Sequence, residues 1–251
     1  MAIIKFGYAL VVVTLLLMIW ASLSRALELH VDTGHPPCLF QALCTCSKPA
    51  GDLGIVTCNH VPILRVPATI NSSKVFVLQL TGNQIRDLEP QFFQASTGLY
   101  RLAINENPLE SIHEEAFYGL ESSLWELELK RDKLTSVPSR ALRVLQKLRL
   151  LDLTGNEITD ISGENWRSLE YTLQTLILAD NSIPTLPLDA FSNLQVLETL
   201  DLRGNHLTVI DTGVFRDGMN RLSKLILGDN QLSYIPYEEI SPLRQLRYLD
   251  L

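Results

Sequence analysis

Four cysteines are the first residues in this chain with the chemistry to form a site, and all of them fall between positions 38 and 58. Their spacing is Cys38-x5-Cys44-x-Cys46-x11-Cys58. Thiolates can hold zinc, but structural zinc sites take paired ligands at spacings such as C-x2-C, which this cluster lacks. An even, clustered set in a secreted chain reads instead as a local disulfide clamp. Cys44 and Cys46 stand too close in sequence to join each other without strain. The histidines at 30, 35, 60, 113 and 206 are scattered without ligand spacing and read as solvent-facing or cap residues. The chain has no G-x-S-x-G, no H-E-x-x-H and no phosphate-cradling glycine loop. It is therefore expected not to be an enzyme and to need no metal or cofactor.

The elements that position the polar residues come from an internal repeat. The phrase L-x-x-L-x-L-x-x-N-x-L starts at Val75, Leu99, Leu124, Leu148, Leu173, Leu197, Leu222 and Leu246, with spacings of 24 and 25 in strict alternation. In each L-x-L the two leucines point one way and the residue between them points the other, the period of a strand. One repeat cannot bury its leucines alone, so copies must stack and share a core. A later apolar mark, Phe93, Phe117, Leu142, Trp166, Phe191, Phe215 and Ile240, is expected to fill the back of that core. The asparagine position reads Asn83, Asn107, Asp132, Asn156, Asn181, Asn205 and Asn230. A side-chain amide there can both donate to and accept from backbone groups at the turn leaving each strand, forming a polar ladder. Asp132 interrupts it, since an ionised carboxylate has no N–H to donate.

This pattern resembles the extracellular leucine-rich-repeat family over roughly residues 35–251. The cysteines, followed by Ile55-Val56-Thr57-Cys58 and Val66-Pro67, look like that family's N-terminal cap, although Leu39 stands where a proline usually follows the first cysteine. The 49-residue double repeat is most like that of insect chaoptin-type or slit-like cell-surface proteins. The resemblance implies an α/β solenoid: a right-handed horseshoe with a parallel concave sheet and short turns or 3-10 segments on its convex side. It also implies pairing of Cys38 with Cys46 and of Cys44 with Cys58.

The start of the chain has its own reading. Lys5, an apolar run from Tyr8 to Trp20 and the small-residue exit Ala21-Ser22-Leu23-Ser24-Arg25-Ala26 describe a secretory signal peptide, or an uncleaved anchor of nearly spanning length. The expected organisation is a signal peptide at 1–26, a cysteine cap at 27–74, and repeats at 75–251, seven full and an eighth truncated. Removing residues 1–26 takes away Lys5 and Arg25 and no acid, so the net charge of −7 becomes −9. That balance disfavours nucleic acid and anionic lipid. Membrane contact is expected only through an uncleaved signal or an anchor beyond Leu251. The eighth repeat stops at Leu251 before its asparagine turn. The chain is therefore expected to be a piece of a longer protein, with a C-terminal strand prone to fray or self-associate.

Function is expected on the strand face. The residue between the strand leucines reads Gln79, Ala103, Glu128, Asp152, Ile177, Asp201, Ile226 and Asp250. Aspartates two repeats apart stand roughly 10 Å from each other at the ~4.8 Å strand spacing, too far to share one Ca²⁺. The stripe reads instead as a mixed apolar and acidic docking surface, with Ile177, Ile226 and Tyr248 exposed as anchors beside Asp152 and Asp201. Nearer the cap, Arg101, Glu126, Glu128, Lys130 and Arg131 form a charged patch, able to meet a partner or to pair across strands. Asn71-Ser72-Ser73 is the single N-glycosylation sequon. The function expected is an extracellular protein-binding scaffold, an adhesion or receptor ectodomain whose partner is a protein, a second copy included. The alternatives are a secreted immune recognition module or a structural matrix protein.

Overall fold

Each L-x-L of the repeat becomes a strand because its neighbours in the stack offer the same alternation in register. A computed structural model of the chain describes residues 34–48, 52–71, 74–96, 98–215 and 218–251. The expected signal peptide and residues 27–33 lie outside the described residues. Residues 36–251 form one compact unit. Its cap contributes β1 (Pro37–Cys38), β2 (Gln41–Cys46) and β3 (Gly54–Thr57). The repeats contribute β4 (Val75–Gln79), β6 (Arg101–Ala103), β8 (Glu126–Glu128), β9 (Leu150–Asp152), β10 (Thr175–Ile177), β11 (Thr199–Asp201), β12 (Lys224–Ile226) and β13 (Tyr248–Asp250). All eleven form one sheet in the order β1-β2-β3-β4-β6-β8-β9-β10-β11-β12-β13. Pairing is antiparallel within the cap and parallel from β3 onward, with Leu78, Leu102, Leu127, Leu151, Leu176, Leu200, Leu225 and Leu249 aligned.

The inward leucines of β4 through β12 have no solvent-accessible surface. The second apolar row packs behind them, and Phe191 stacks on Phe215 with centroids 6.4 Å apart. Each such buried Leu or Phe stabilises the stack by about 1.5–3 kcal/mol relative to exposure. Trp166 occupies one place in this row, and its indole N–H donates to the Ala190 carbonyl at 2.7 Å. The segments on that side are a 3-10 turn at Gly163–Trp166 and single α-helical turns at Ser139–Leu142 and Tyr237–Ile240. On the descending flank β5 (Asp87–Leu88) and β7 (Ser111–Ile112) add a small parallel sheet.

At the first end of the core, disulfides join Cys38 to Cys46 and Cys44 to Cys58, with Cα separations of 5.1 and 4.3 Å. All four cysteines are buried.

The asparagine column is a continuous set of bonds inside the turns. Asn156 is representative. Its Oδ1 accepts from the backbone N–H groups of Asp132 and Leu134, and its Nδ2 donates to the carbonyls of Leu129 and Leu153. Asn181, Asn205 and Asn230 bond in the same way, each tying its own turn to the preceding one. Asn83 and Asn107 do so nearer the cap.

Asp132 occupies the same column and is wholly buried. Its Oδ1 accepts the Asn107 N–H at 2.7 Å, while Oδ2 has no partner. It interrupts only the donating half of the ladder.

A second regularity runs through the same turns. The residue before each ladder position has positive φ, whether Gly82, Gly155 and Gly204 or Glu106, Arg131, Asp180 and Asp229. A Cβ on Gly204 would collide with the Asp180 carboxylate, and one on Gly155 with the Arg131 side chain. The side chain of one turn thus lies where the next turn has none, so glycine and non-glycine turns alternate from Arg131 onward.

Candidate functional site

The strand face divides into two halves. Near the cap, β6, β8 and β9 bring Arg101, Glu126, Glu128, Lys130 and Asp152 together. The Arg101 guanidinium contacts Glu128 at 2.7 Å and Glu126 at 3.4 Å. The Lys130 ammonium bridges Glu128 at 2.6 Å and Asp152 at 3.4 Å. The Asn105 amide also donates to Glu128, at 3.3 Å. Burial alone would raise the Glu128 pKa, but hydrogen bonds from Lys130, Arg101 and Asn105 outweigh it and hold the carboxyl below its ordinary range. Burial likewise works against the Lys130 charge, yet Glu128 and Asp152 together push its pKa up. Glu128 and Asp152 are buried, and the other three are screened by their partners. The charges of this half saturate one another.

In the far half, the exposure expected for Ile177 and Ile226 is corrected. Both are half-buried, with Asp152 and Asp201 in register on either side of Ile177, and Asp201 and Asp250 on either side of Ile226. The aspartates are turned to local work. The Asp152 Oδ1 accepts from the Thr154 backbone and hydroxyl, and the Asp201 Oδ1 accepts the Arg203 N–H at 3.0 Å. Each closes an Asx turn at the exit of its strand. Burial raises the Asp201 pKa, with a smaller push from Asp152, against the Arg203 N–H and the charges of Lys224 and Arg203. Tyr248 is exposed, with the Lys224 ammonium 5.1 Å from its ring centroid. Asn71 closes the helical turn Ala68–Asn71, and Ser72 and Ser73 lie outside the described residues.

One group escaped the sequence reading. The first variable residue of the phrase reads Phe76, Tyr100, Trp125 and Arg149 in consecutive repeats. The three rings are exposed at 44%, 44% and 46%. The Arg149 guanidinium carbon lies 4.5 Å from the Trp125 ring centroid. Reading the column after the first leucine, as well as the column between the strand leucines, would have found it.

The comparisons bear on the whole stack. The leucine rich repeat model matches residues 73–134, 171–217 and 195–251, more than half of the chain. The chain belongs to the leucine-rich-repeat family. It is 52% identical over 152 residues to chaoptin of Drosophila melanogaster, a match covering 59% of this chain and 12% of chaoptin. The chain thus aligns with a small part of that relative's length. Among solved structures it is similar to TLR13 in its complex with ssRNA13, with a TM-score of 0.65 and 29% identity over 70% of this chain and 24% of that one. It is also similar to internalin C2 of Listeria monocytogenes, with a TM-score of 0.63 and 26% identity over 79% of this chain and 80% of that one. The architecture is the leucine-rich-repeat horseshoe of about eight turns, and the chain is a repeat scaffold, not an enzyme.

Proposed function

We propose that the chain is an extracellular protein-binding scaffold, part of an adhesion or receptor ectodomain that holds a protein partner on its concave strand face. The observation that carries this reading is the face itself. Eight parallel rungs are not needed to bury a small core, yet β4, β6 and β8 through β13 hold one uninterrupted surface on which Tyr248 is exposed and Ile177 and Ile226 half-buried, with Tyr100 and Trp125 exposed just ahead of β6 and β8. Aromatic and aliphatic groups of that kind are the anchors of protein interfaces. Two disulfides in the cap support passage through an oxidising compartment. A signal peptide at 1–26, a cap at 27–74 and repeats at 75–251 form part of the same reading, as does a glycan on Asn71. Among the described residues no helix is long and apolar enough to cross a membrane.

A nucleic-acid ligand finds less support. Arg101 and Lys130, central to the face, are bonded to Glu126, Glu128 and Asp152, and phosphate binding needs cations that are free to replace counterions.

The test is a binding screen of the secreted full chain, displayed as a tetramer, against an array of purified extracellular proteins. A saturable partner is expected, and Ile177→Lys combined with Ile226→Lys should weaken it at least tenfold while the melting temperature stays within a few degrees. Equal binding by the double variant would move the interface off the strand face, and the absence of any protein partner would defeat the reading.

A further inference from the structure

Core packing and ion pairing between them use nearly every side chain on the cap half of the face, but not the rim formed by Phe76, Tyr100, Trp125 and Arg149. These residues stand on adjoining rungs. The Tyr100 N–H donates to the Phe76 carbonyl at 2.9 Å, the Trp125 N–H to the Tyr100 carbonyl at 2.8 Å, and the Arg149 N–H to the Trp125 carbonyl at 2.8 Å. Three steps of ~4.8 Å make a rim ~14 Å long, about the length of four residues of extended chain. At the cap end Ile55 on β3 is 38% exposed and stands in register with Val77, the residue after Phe76. At the other end Arg149 lies over Trp125 and is exposed, and no carboxylate among the described residues pairs with it. Its neighbours Arg101 and Lys130 are each held by two acids.

We propose that this rim is the anchor of the partner site and that it takes an extended acidic polypeptide segment. Apolar side chains of the segment lie against Phe76, Tyr100 and Trp125, and a carboxylate meets the Arg149 guanidinium. The inference rests on the protein-binding reading above and adds the place and the partner's chemistry. Tryptophan, tyrosine and arginine are the residues most enriched among interface hot spots. A guanidinium pre-set on an aromatic face presents a planar fork that matches a carboxylate with two parallel bonds. A saccharide would need several free polar groups beside the rings to fix its hydroxyls, and the charged side chains that follow Tyr100 and Trp125 in the chain, Arg101 and Glu126, are already engaged as an ion pair at 3.4 Å.

The experiment uses the secreted full chain on an array of synthetic 12-residue peptides in which a central Glu is flanked by Leu and Phe. The same peptides with Gln at the centre, and heparin and chondroitin sulfate oligosaccharides, complete the set. Glu peptides should bind saturably, and their Gln counterparts about tenfold more weakly or worse. Trp125→Ala and Arg149→Gln should each cause a loss of at least about tenfold, with Arg149→Lys in between and melting temperatures unchanged, since the rim buries none of the core. Equal binding of Glu and Gln peptides, indifference to Trp125→Ala and Arg149→Gln, or retention of the oligosaccharides alone would overturn the proposal. Loss confined to the Ile177→Lys, Ile226→Lys variant would also overturn it while leaving the protein-binding reading intact.

Discussion

Two polar columns cross the same rungs of this solenoid, one inside the turns and one on the strand face, and they are held by different means. The inner column is amide on backbone. Asn156 makes four bonds to main-chain groups that no water can reach. The outer column is charge on charge, running Arg101, Glu128, Lys130, Asp152 at the edge of solvent. A buried amide suits a place where both a donor and an acceptor must be satisfied without a net charge. A carboxylate suits the outer place, where cations stand beside it. Asp132 is the outer kind of residue in the inner column, and it responds by holding its proton: burial pushes its pKa up to about 8, against the Asn107 N–H and with a further push from Glu106.

The strongest way to break the comparison is at Asn156. Asn156→Ala leaves several buried backbone groups unpaired, and each such group costs about 1–3 kcal/mol. The variant should be the least stable of those described, as read from urea denaturation. A loss no larger than that from removing an outer-column charge would mean that water enters the turns and that the two columns do not differ.

Asp132 sharpens the contrast through pH. The unfolded chain releases this proton near the ordinary aspartate value of 3.8, whereas the folded chain keeps it until about 8. Between those values the folded state binds more protons than the unfolded one, so stability falls as pH rises, by up to ~1.4 kcal/mol per unit from this group alone. Below that window and above it the contribution is flat. Asp132→Asn restores a donor without a charge and removes the slope. The stability of the variant relative to the natural chain should therefore grow steadily from pH 4.5 to pH 8. A constant difference across that range would show that the carboxyl is already ionised in the folded turn.

In the outer column, Glu128→Gln keeps the shape and removes the charge that Arg101 and Lys130 share. A loss of about 1–2 kcal/mol is expected, partly screened because Arg101 and Lys130 are a third or more exposed. That loss should shrink in high salt, unlike the loss at Asn156. The smallest effect is expected at the well-exposed Arg86–Glu110 pair, where Arg86→Ala should change stability by less than ~0.5 kcal/mol. A larger change there would mean that surface charge contributes more to this stack than the comparison allows.

The repeat phrase alone determined the stack, its parallel sheet and its inward residues. Burial in a solenoid depends on a two-residue alternation and on a period, and both are written in the order of residues. Leu78, Leu102, Leu127 and their successors had one face available to them. The asparagine turns were legible for the same reason, because each amide bonds to its own turn and the one before it. Tertiary structure decided what depends on neighbours a rung away. Ile177 and Ile226 alternate with aspartates in sequence, but only the packing of adjacent strands makes them half-buried. Glu128 and Lys130 read equally as a docking patch, until the register placed Arg101, Asn105 and Asp152 within reach of them. The alternation of glycine and non-glycine turns had no visible cause until the Asp180 side chain was seen in the space above Gly204. Periodicity states which way a side chain points, whereas exposure, pairing and protonation are set by the side chains from other repeats that meet it in space.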